Sequence, residues 1–86
     1  MQYRIELARE PRKFLEALKD GKLAHRFSKA IDGLAKNPHP PGSLKMQGNE
    51  ELYRIPVGDY RIIYKVQDAV LVVLVVAIGN RRDIYR

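Results

Sequence analysis

The sequence contains no cysteine, and this absence excludes several kinds of structure. Without cysteine a chain forms no disulfide framework and offers no thiolate to a metal ion or to a substrate. The same absence fits a reducing cytoplasm, where we expect the protein to act. The longest apolar run, residues 69–78, is too short to span a bilayer. Residues 1–10 mix polar and apolar side chains, so we expect neither a signal peptide nor a membrane segment.

The sequence also lacks the short motifs that mark common catalytic sites. It contains no glycine-rich phosphate loop and no pair of histidines at the spacing of a metal site. His25 and His39 stand apart from each other and from any third ligand, so we expect no metal and no cofactor. Glu50, Glu51 and Asp59 are interpreted as surface or turn residues.

Positive charge, in contrast, is present in excess. Lysine and arginine number 16 against 10 aspartates and glutamates, which gives a net charge of +6. The excess is spread along the chain and favours an acidic partner, such as nucleic acid, an anionic surface or an acidic protein. A chain of 86 residues is expected to form one domain, residues 1–86, with a single core.

The clearest structural signal lies in residues 52–65. Two alternating runs flank Gly58 and Asp59, which predicts a β-hairpin with a two-residue turn. Alternation assigns one face to the core, with side chains Tyr53, Ile55, Val57, Tyr60, Ile62 and Tyr64. We call the other face the arginine face; it carries Arg54, Pro56, Arg61, Ile63 and Lys65.

The pairing predicted for this hairpin makes Arg54 and Arg61 diagonal neighbours on the arginine face. Two guanidinium groups held at that spacing by a rigid sheet suit a shared anion, most simply a phosphate. The alternative interpretation is that both arginines are solvated cations on the uncovered face of an antiparallel sheet.

The first half of the chain predicts one strand and two helices. Residues 2–7 alternate and predict a strand. Pro11 suits the first turn of a helix that Gly21 is expected to end. A second helix follows and is expected to end at Asn37 and Pro38.

The second half predicts strands on both sides of the hairpin. Residues 44–47 predict a short strand, which must stop before it reaches Pro56, because proline donates no hydrogen bond to a neighbour. Residues 70–78 are rich in valine and leucine and predict a strand covered on both faces, broken at residues 79–80. The predicted fold is therefore α+β, in the order β-α-α-β-β-β(-β). An antiparallel-rich twisted sheet carries a two-helix hairpin on one face.

Three segments carry a resemblance to a known family: PGSLKMQG at residues 41–48, LYRIPVGDYRIIY at 52–64 and VVLVVAIGNRRDIY at 72–85. With the order of elements, they make the chain resemble the RelE family of bacterial and archaeal toxins, within the RelE/ParE superfamily of toxin–antitoxin systems. The resemblance implies a metal-independent ribonuclease that cuts messenger RNA in the ribosomal A site. The implied reaction is attack by the ribose 2′-OH on the adjacent phosphate, which leaves a 2′,3′-cyclic phosphate and a 5′-OH.

Carried over position by position, the resemblance implies that the catalytic residues are Arg54, Arg61, Arg81 and Tyr85. The arginines would stabilise charge on the phosphate, Arg81 would also stabilise the leaving oxygen, and Tyr85 would accept the 2′-OH proton or stack on a base. The sequence departs from the family pattern at two of its positions. Pro56 stands where the family often has a cation, and arginine at position 54 replaces a lysine. Arginine stays protonated, which makes Arg54 a poor general base.

Five further cations are expected to hold ribosomal RNA: Lys45, Lys65, Arg82, Arg12 and Lys13. The implied partners are the ribosome with its messenger RNA and a small antitoxin, through which the toxin would oligomerise. The antitoxin would carry an acidic and apolar segment that folds on binding. Two alternatives stay open. One is a non-enzymatic poison of DNA gyrase, like the ParE branch, although that branch generally lacks the arginine–tyrosine set. The other is a catalytically weakened binding protein, for which Pro56 is the best argument.

Overall fold

The structure is a computed structural model, and it describes residues 2–48 and 51–80. Its elements follow in chain order: β1 (Arg4–Leu7), α1 (Arg9–Ala17), α2 (Gly21–Lys36), β2 (Leu44–Lys45), β3 (Leu52–Val57), β4 (Tyr60–Gln67), a 3-10 turn (Asp68–Val70) and β5 (Val72–Asn80). The strands form one sheet in the order β1-β5-β4-β3-β2. Only the β1–β5 pair is parallel within this sheet, so the predicted antiparallel-rich α+β fold is confirmed.

Both helices pack on one face of the sheet and close the core there. Phe27 and Leu34 of α2 are fully buried against Ile62 and Tyr64 of β4. Phe14 of α1 completes an aromatic cluster with Phe27 and Tyr60, whose ring centroids lie 5.5 to 5.7 Å apart. Among the described residues, no helix is long and apolar enough to cross a membrane.

The boundary between the helices differs from the prediction. Gly21 was expected to end the first helix, but α1 ends at Ala17 and Gly21 is the first residue of α2. The cause is Asp20, whose Oδ1 accepts hydrogen bonds from the backbone N–H of Lys22 at 3.0 Å and of Leu23 at 3.1 Å. A carboxylate in this position satisfies two of the free donors at a helix start, which fixes the start of α2 at Gly21.

The last strand has the predicted length of nine residues but is shifted by two positions, to Val72–Asn80 instead of residues 70–78. The break expected at residues 79–80 is wrong, because β5 pairs with β4 through Gly79 and Asn80. The register skips one residue between the Ile63–Ala77 and Tyr64–Val75 pairs, which leaves Val76 as a β-bulge. The expectation of cover on both faces holds only for the start of β5, since the strand is half-buried from Val76 onward.

The central hairpin is confirmed pair by pair. Val57 lies opposite Tyr60, and every pair predicted between residues 53 and 64 is present. Gly58 has a φ of 60°, a left-handed conformation that glycine adopts without strain. β2 begins at Leu44, which lies opposite Arg54, so its pairing stops two residues short of Pro56 and β2 does not need the N–H that proline lacks.

The connector between α2 and β2 is tied to the sheet by Tyr64. Its hydroxyl donates a hydrogen bond of 2.8 Å to the carbonyl oxygen of Pro38, and both residues are buried. Burial raises the pKa of Tyr64 to about 12, although a hydrogen bond with Ser43 acts in the opposite direction. The ring of Tyr53 stacks on Tyr64 and meets His39 edge-on, with centroids 4.7 Å apart in the second pair.

Candidate functional site

The hairpin brings two of the four predicted catalytic residues together. Arg54 is paired with Ile63, and Arg61 is paired with Pro56, so the two arginines are diagonal neighbours across β3 and β4. Alternation along each strand directs both side chains away from the core residue Ile62 and onto the arginine face. Because neighbours in this relation are separated by roughly 7–8 Å at the backbone, long side chains from both positions reach a common point.

Arg61 is less exposed than predicted from the sequence. The arginine face was expected to stay uncovered, yet Arg61 and Ile63 each have only 7% of their surface exposed. The position of β4 explains this result, since it lies in the middle of the sheet between β3 and β5. On β5, Gly79 pairs with Arg61 and Ala77 pairs with Ile63. Because glycine and alanine are the smallest residues, they leave room for the side chains of Arg61 and Ile63 to lie over β5.

This burial restricts the charged groups. The Nε atoms of Arg54 and Arg61 are both buried, so neither guanidinium is a freely rotating surface group. A charge that is held in place stabilises developing negative charge better than a mobile one, because no reorganisation is needed. Two arginines at this diagonal spacing, each with a buried Nε, are suited to bind an anion of phosphate size.

The other predicted cations lie in separate places. Lys65 is on the arginine face, but its Nζ forms a 2.9 Å ion pair with Glu51. Lys45 pairs with Tyr53, whose ring packs against the core. Lys45 therefore lies on the core side of the sheet, not on the arginine face, and it is exposed there. Arg12 and Lys13 are exposed on α1, where an Arg12 Nη2 donates to the carbonyl oxygen of Leu7 at the far edge of the sheet.

The remaining predicted site residues, Arg81, Arg82 and Tyr85, lie outside the described residues. The last described residue is Asn80, which pairs with Tyr60, one position from the Gly79–Arg61 pair. In the part of the chain that the structure describes, no group of three potential ligands is placed to hold a metal ion.

One cation near the hairpin, Arg26, is not among the site residues predicted from the sequence. Arg26 of α2 lies against the turn, where a Cβ added at Gly58 would be 3.2 Å from its Nη1. These residues are far apart in the chain, so no local pattern predicts their contact. The only signal in the sequence is the helical spacing of Arg26 from the lysines before and after it.

Comparisons with known proteins agree with this fold. A sequence profile described as "ParE toxin of type II toxin-antitoxin system, parDE" matches residues 5–85. A "Putative RelE-like toxin protein" of Escherichia coli is 32% identical over 89 residues, which cover 99% of this chain and 92% of that protein. The "Putative toxin RelE1" of Methanocaldococcus jannaschii is 26% identical and covers 100% and 98% of the two chains.

Solved structures show the same arrangement of elements. The archaeal RelE–RelB complex from Pyrococcus horikoshii OT3 contains a chain that superposes with a TM-score of 0.81 at 30% identity, over 94% of this chain and 97% of that one. The intact E. coli RelBE toxin–antitoxin complex gives a TM-score of 0.78 at 22% identity, over 91% and 95% of the chains.

Proposed function

Because the chain belongs to the RelE/ParE superfamily of toxins from type II toxin–antitoxin systems, we propose that it is a ribosome-dependent endoribonuclease that cuts messenger RNA and so inhibits translation. The observation that carries the proposal is the diagonal pair of Arg54 and Arg61 on the arginine face. Two guanidinium groups at this spacing suit the non-bridging oxygens of a phosphodiester, where negative charge grows during cleavage.

The proposed reaction needs no metal. The ribose 2′ oxygen forms a bond to the adjacent phosphorus while the bond from phosphorus to the 5′ oxygen breaks, leaving a 2′,3′-cyclic phosphate and a 5′-OH. One proton must leave the 2′-OH and one must reach the 5′ oxygen. Tyr85 is proposed as the acceptor of the first proton, with Arg81 stabilising the leaving oxygen. Both roles are carried over from the family resemblance.

Arg54 is assigned to charge stabilisation alone. Since arginine keeps its proton, it does not serve as a general base, although a lysine at this position could. We propose that the ribosome aligns the messenger RNA in its A site and so compensates in part for the absence of a strong general base. Correct positioning of the reacting groups by itself lowers the activation barrier of a reaction substantially. This assignment explains why activity would depend on the ribosome.

The proposed partners are a cognate antitoxin and the ribosome. The similar chains from P. horikoshii and E. coli were each solved in complex with RelB, which supports an antitoxin here. Its acidic and apolar segment would fold on the toxin and link toxin copies into an oligomer in the cytoplasm. Cations proposed to contact ribosomal RNA are Lys45, Arg12, Lys13, Arg82 and, more weakly because of its ion pair, Lys65.

The test compares Arg61→Met with Arg9→Met in translation reactions programmed with a defined messenger RNA. The first change keeps an apolar stem in a buried position, and the second removes the same charge from an exposed residue of α1. We expect the first to slow cleavage about 10²–10³-fold, the loss typical of one electrostatic donor, and the second to leave it unchanged. Primer extension locates the cuts, and circular dichroism checks that both variants fold. Undiminished cleavage by Arg61→Met would exclude the assigned role.

A second candidate is non-enzymatic inhibition of DNA gyrase, which the match to a ParE profile favours. Inhibition of supercoiling by the purified chain, together with intact messenger RNA in the translation reaction, would support it. A third possibility is a catalytically weakened binding protein with Pro56 in place of a cation. Toxicity on expression without antitoxin would exclude that one.

A further inference from the structure

The β-bulge at Val76 changes which side chains of β5 lie on the arginine face. Side chains of a strand alternate between its two faces, and one extra residue reverses that alternation for the rest of the strand. Val75, before the bulge, is buried in the core, and Ile78, after the bulge, also packs against the core. The two residues are three positions apart, so they share a face only because the bulge lies between them.

The residue most affected by this change is the partner of Arg61. Before the bulge, Tyr64 pairs with Val75, and the same register continued along the strand would pair Arg61 with Ile78. After the bulge, Arg61 pairs with Gly79 instead. The bulge therefore replaces a bulky branched side chain beside the central arginine by no side chain at all. Placing Ile78 in the core would by itself explain the bulge, but it would not explain a glycine at the next position.

The backbone of β5 does not require glycine at position 79. Gly79 lies in a regular antiparallel pair, and it is not among the glycines whose φ is positive. Glycine in the interior of a strand weakens the sheet, because it loses more conformational entropy on folding and has no side chain to pack. A β-branched residue would suit the strand better. The reason for glycine is therefore to be sought in the residue beside it.

That residue, Arg61, is buried to an extent that is unusual for arginine. Its side chain has a buried Nε, and only 7% of the residue is exposed. On the other side of Arg61, its partner Pro56 is exposed at the edge of the hairpin. The low surface next to Arg61 is thus the one at Gly79, where a long side chain can lie close to the backbone of β5.

We propose that the bulge at Val76 and the glycine that it brings beside Arg61 position this arginine for phosphate binding. Gly79 is then a positioning residue, because it acts through the guanidinium group of Arg61. The inference rests on the proposed function in one respect, since it takes the bound phosphate to be the phosphodiester that is cleaved. A valine at position 79 would press its branched side chain against Arg61 and move the guanidinium. A displacement of about 1 Å in a catalytic group lowers a rate about 10²-fold.

The first test compares Gly79→Val with Leu74→Phe in translation reactions programmed with a defined messenger RNA. Leu74 pairs with Lys65, so the control enlarges a half-buried side chain on the same face of β5, away from Arg61. We expect Gly79→Val to lower kcat about 10²-fold and Leu74→Phe to leave it unchanged. The urea midpoint of Gly79→Val should be no lower than that of the wild type, because valine favours a strand. Unchanged cleavage by Gly79→Val, or a loss of stability that accompanies the loss of cleavage, would overturn the proposal.

A double-mutant cycle tests whether Gly79 acts through Arg61. In a chain that already carries Arg61→Met, Gly79→Val should cause no further loss of cleavage, because the group that it displaces is absent. An equal loss in both backgrounds would mean that the valine disturbs some other part of the site, and the assignment of Gly79 to Arg61 would be wrong.

The second test needs neither a ribosome nor cleavage. Inorganic phosphate is titrated into the ¹⁵N-labelled full chain, and the arginine Nε–H signals are followed by NMR. The signal that is missing from Arg61→Met identifies Arg61. We expect it to respond to phosphate in the wild type and in Leu74→Phe, and to require about 10-fold more phosphate in Gly79→Val. An identical response in the wild type and Gly79→Val would overturn the proposal. If the expected difference is found but the wild type cuts no messenger RNA, the positioning of Arg61 is supported and only the proposed nuclease function fails.

Discussion

Replacing Tyr64 by phenylalanine should loosen the connector between α2 and β2. The Tyr64 hydroxyl is the group that binds the carbonyl oxygen of Pro38 across 2.8 Å in a buried position. Phenylalanine keeps the ring and its stacking on Tyr53 but leaves that carbonyl without its side-chain donor. Losing one partner of a buried hydrogen bond lowers the free energy of unfolding by about 1–2 kcal/mol at neutral pH.

The same substitution has a distinctive pH dependence. Burial raises the pKa of Tyr64 to about 12, with the nearby Tyr53 adding to the shift and the hydrogen bond with Ser43 opposing it. Since this pKa lies above the usual value near 10, the folded state holds the proton more tightly than the unfolded chain. The stabilisation is complete below pH 10 and disappears as the pH rises through 12. A shift of this size corresponds to about 2.7 kcal/mol, which solvent near the connector reduces to about 1–2 kcal/mol.

Urea unfolding followed by circular dichroism measures both effects. At pH 7 and pH 9 the wild type should be more stable than Tyr64→Phe, and above pH 11 the difference should shrink towards zero. The control is Tyr60→Phe, which removes a hydroxyl that makes no hydrogen bond within the described residues. A difference between wild type and Tyr64→Phe that stays constant from pH 9 to pH 12 would refute the reasoning.

Three further substitutions have defined expectations. Gly58→Ala forces a side chain into a left-handed conformation 3.2 Å from Arg26 and should lower the free energy of unfolding by about 1 kcal/mol in urea titrations. Gly33→Ala adds a methyl group in open space within a helix, so the unfolding free energy should rise by about 0.5–1 kcal/mol. Pro56→Lys adds a cation opposite Arg61 and should raise the rate of messenger RNA cleavage about 10-fold or more, measured by primer extension.

The hairpin was predictable because all of its determinants are local. The side-chain period of a strand is two, and a glycine-containing turn of two residues fixes which positions face each other. Once the turn is placed at Gly58 and Asp59, the diagonal relation of Arg54 and Arg61 follows without knowledge of the rest of the fold. This part of the candidate site therefore needed only the sequence.

The sequence predictions were wrong where two local signals competed, or where residues far apart in the chain determine the structure. Gly21 fits a helix end as well as a helix start, and the capping bonds of Asp20 selected the start. The burial of Arg61 depends on the order of strands in the sheet, which places Gly79 of β5 beside it. Neither strand order nor the contact between Arg26 and Gly58 is encoded in any short window of sequence.

The effect of Pro56→Lys depends on the two residues that pair with Arg61. Pro56 on one side has no charge and Gly79 on the other has no side chain, so nothing in either pair competes for the guanidinium or repels it. A lysine at position 56 would face Arg61 directly, in a cross-strand pair where like charges are unfavourable. We expect the number of phosphate contacts to limit cleavage, so Pro56→Lys should accelerate the reaction despite this repulsion. A slower reaction would contradict this prediction, because it would mean that the lysine displaces the guanidinium of Arg61 and that proline helps to hold the central arginine in place.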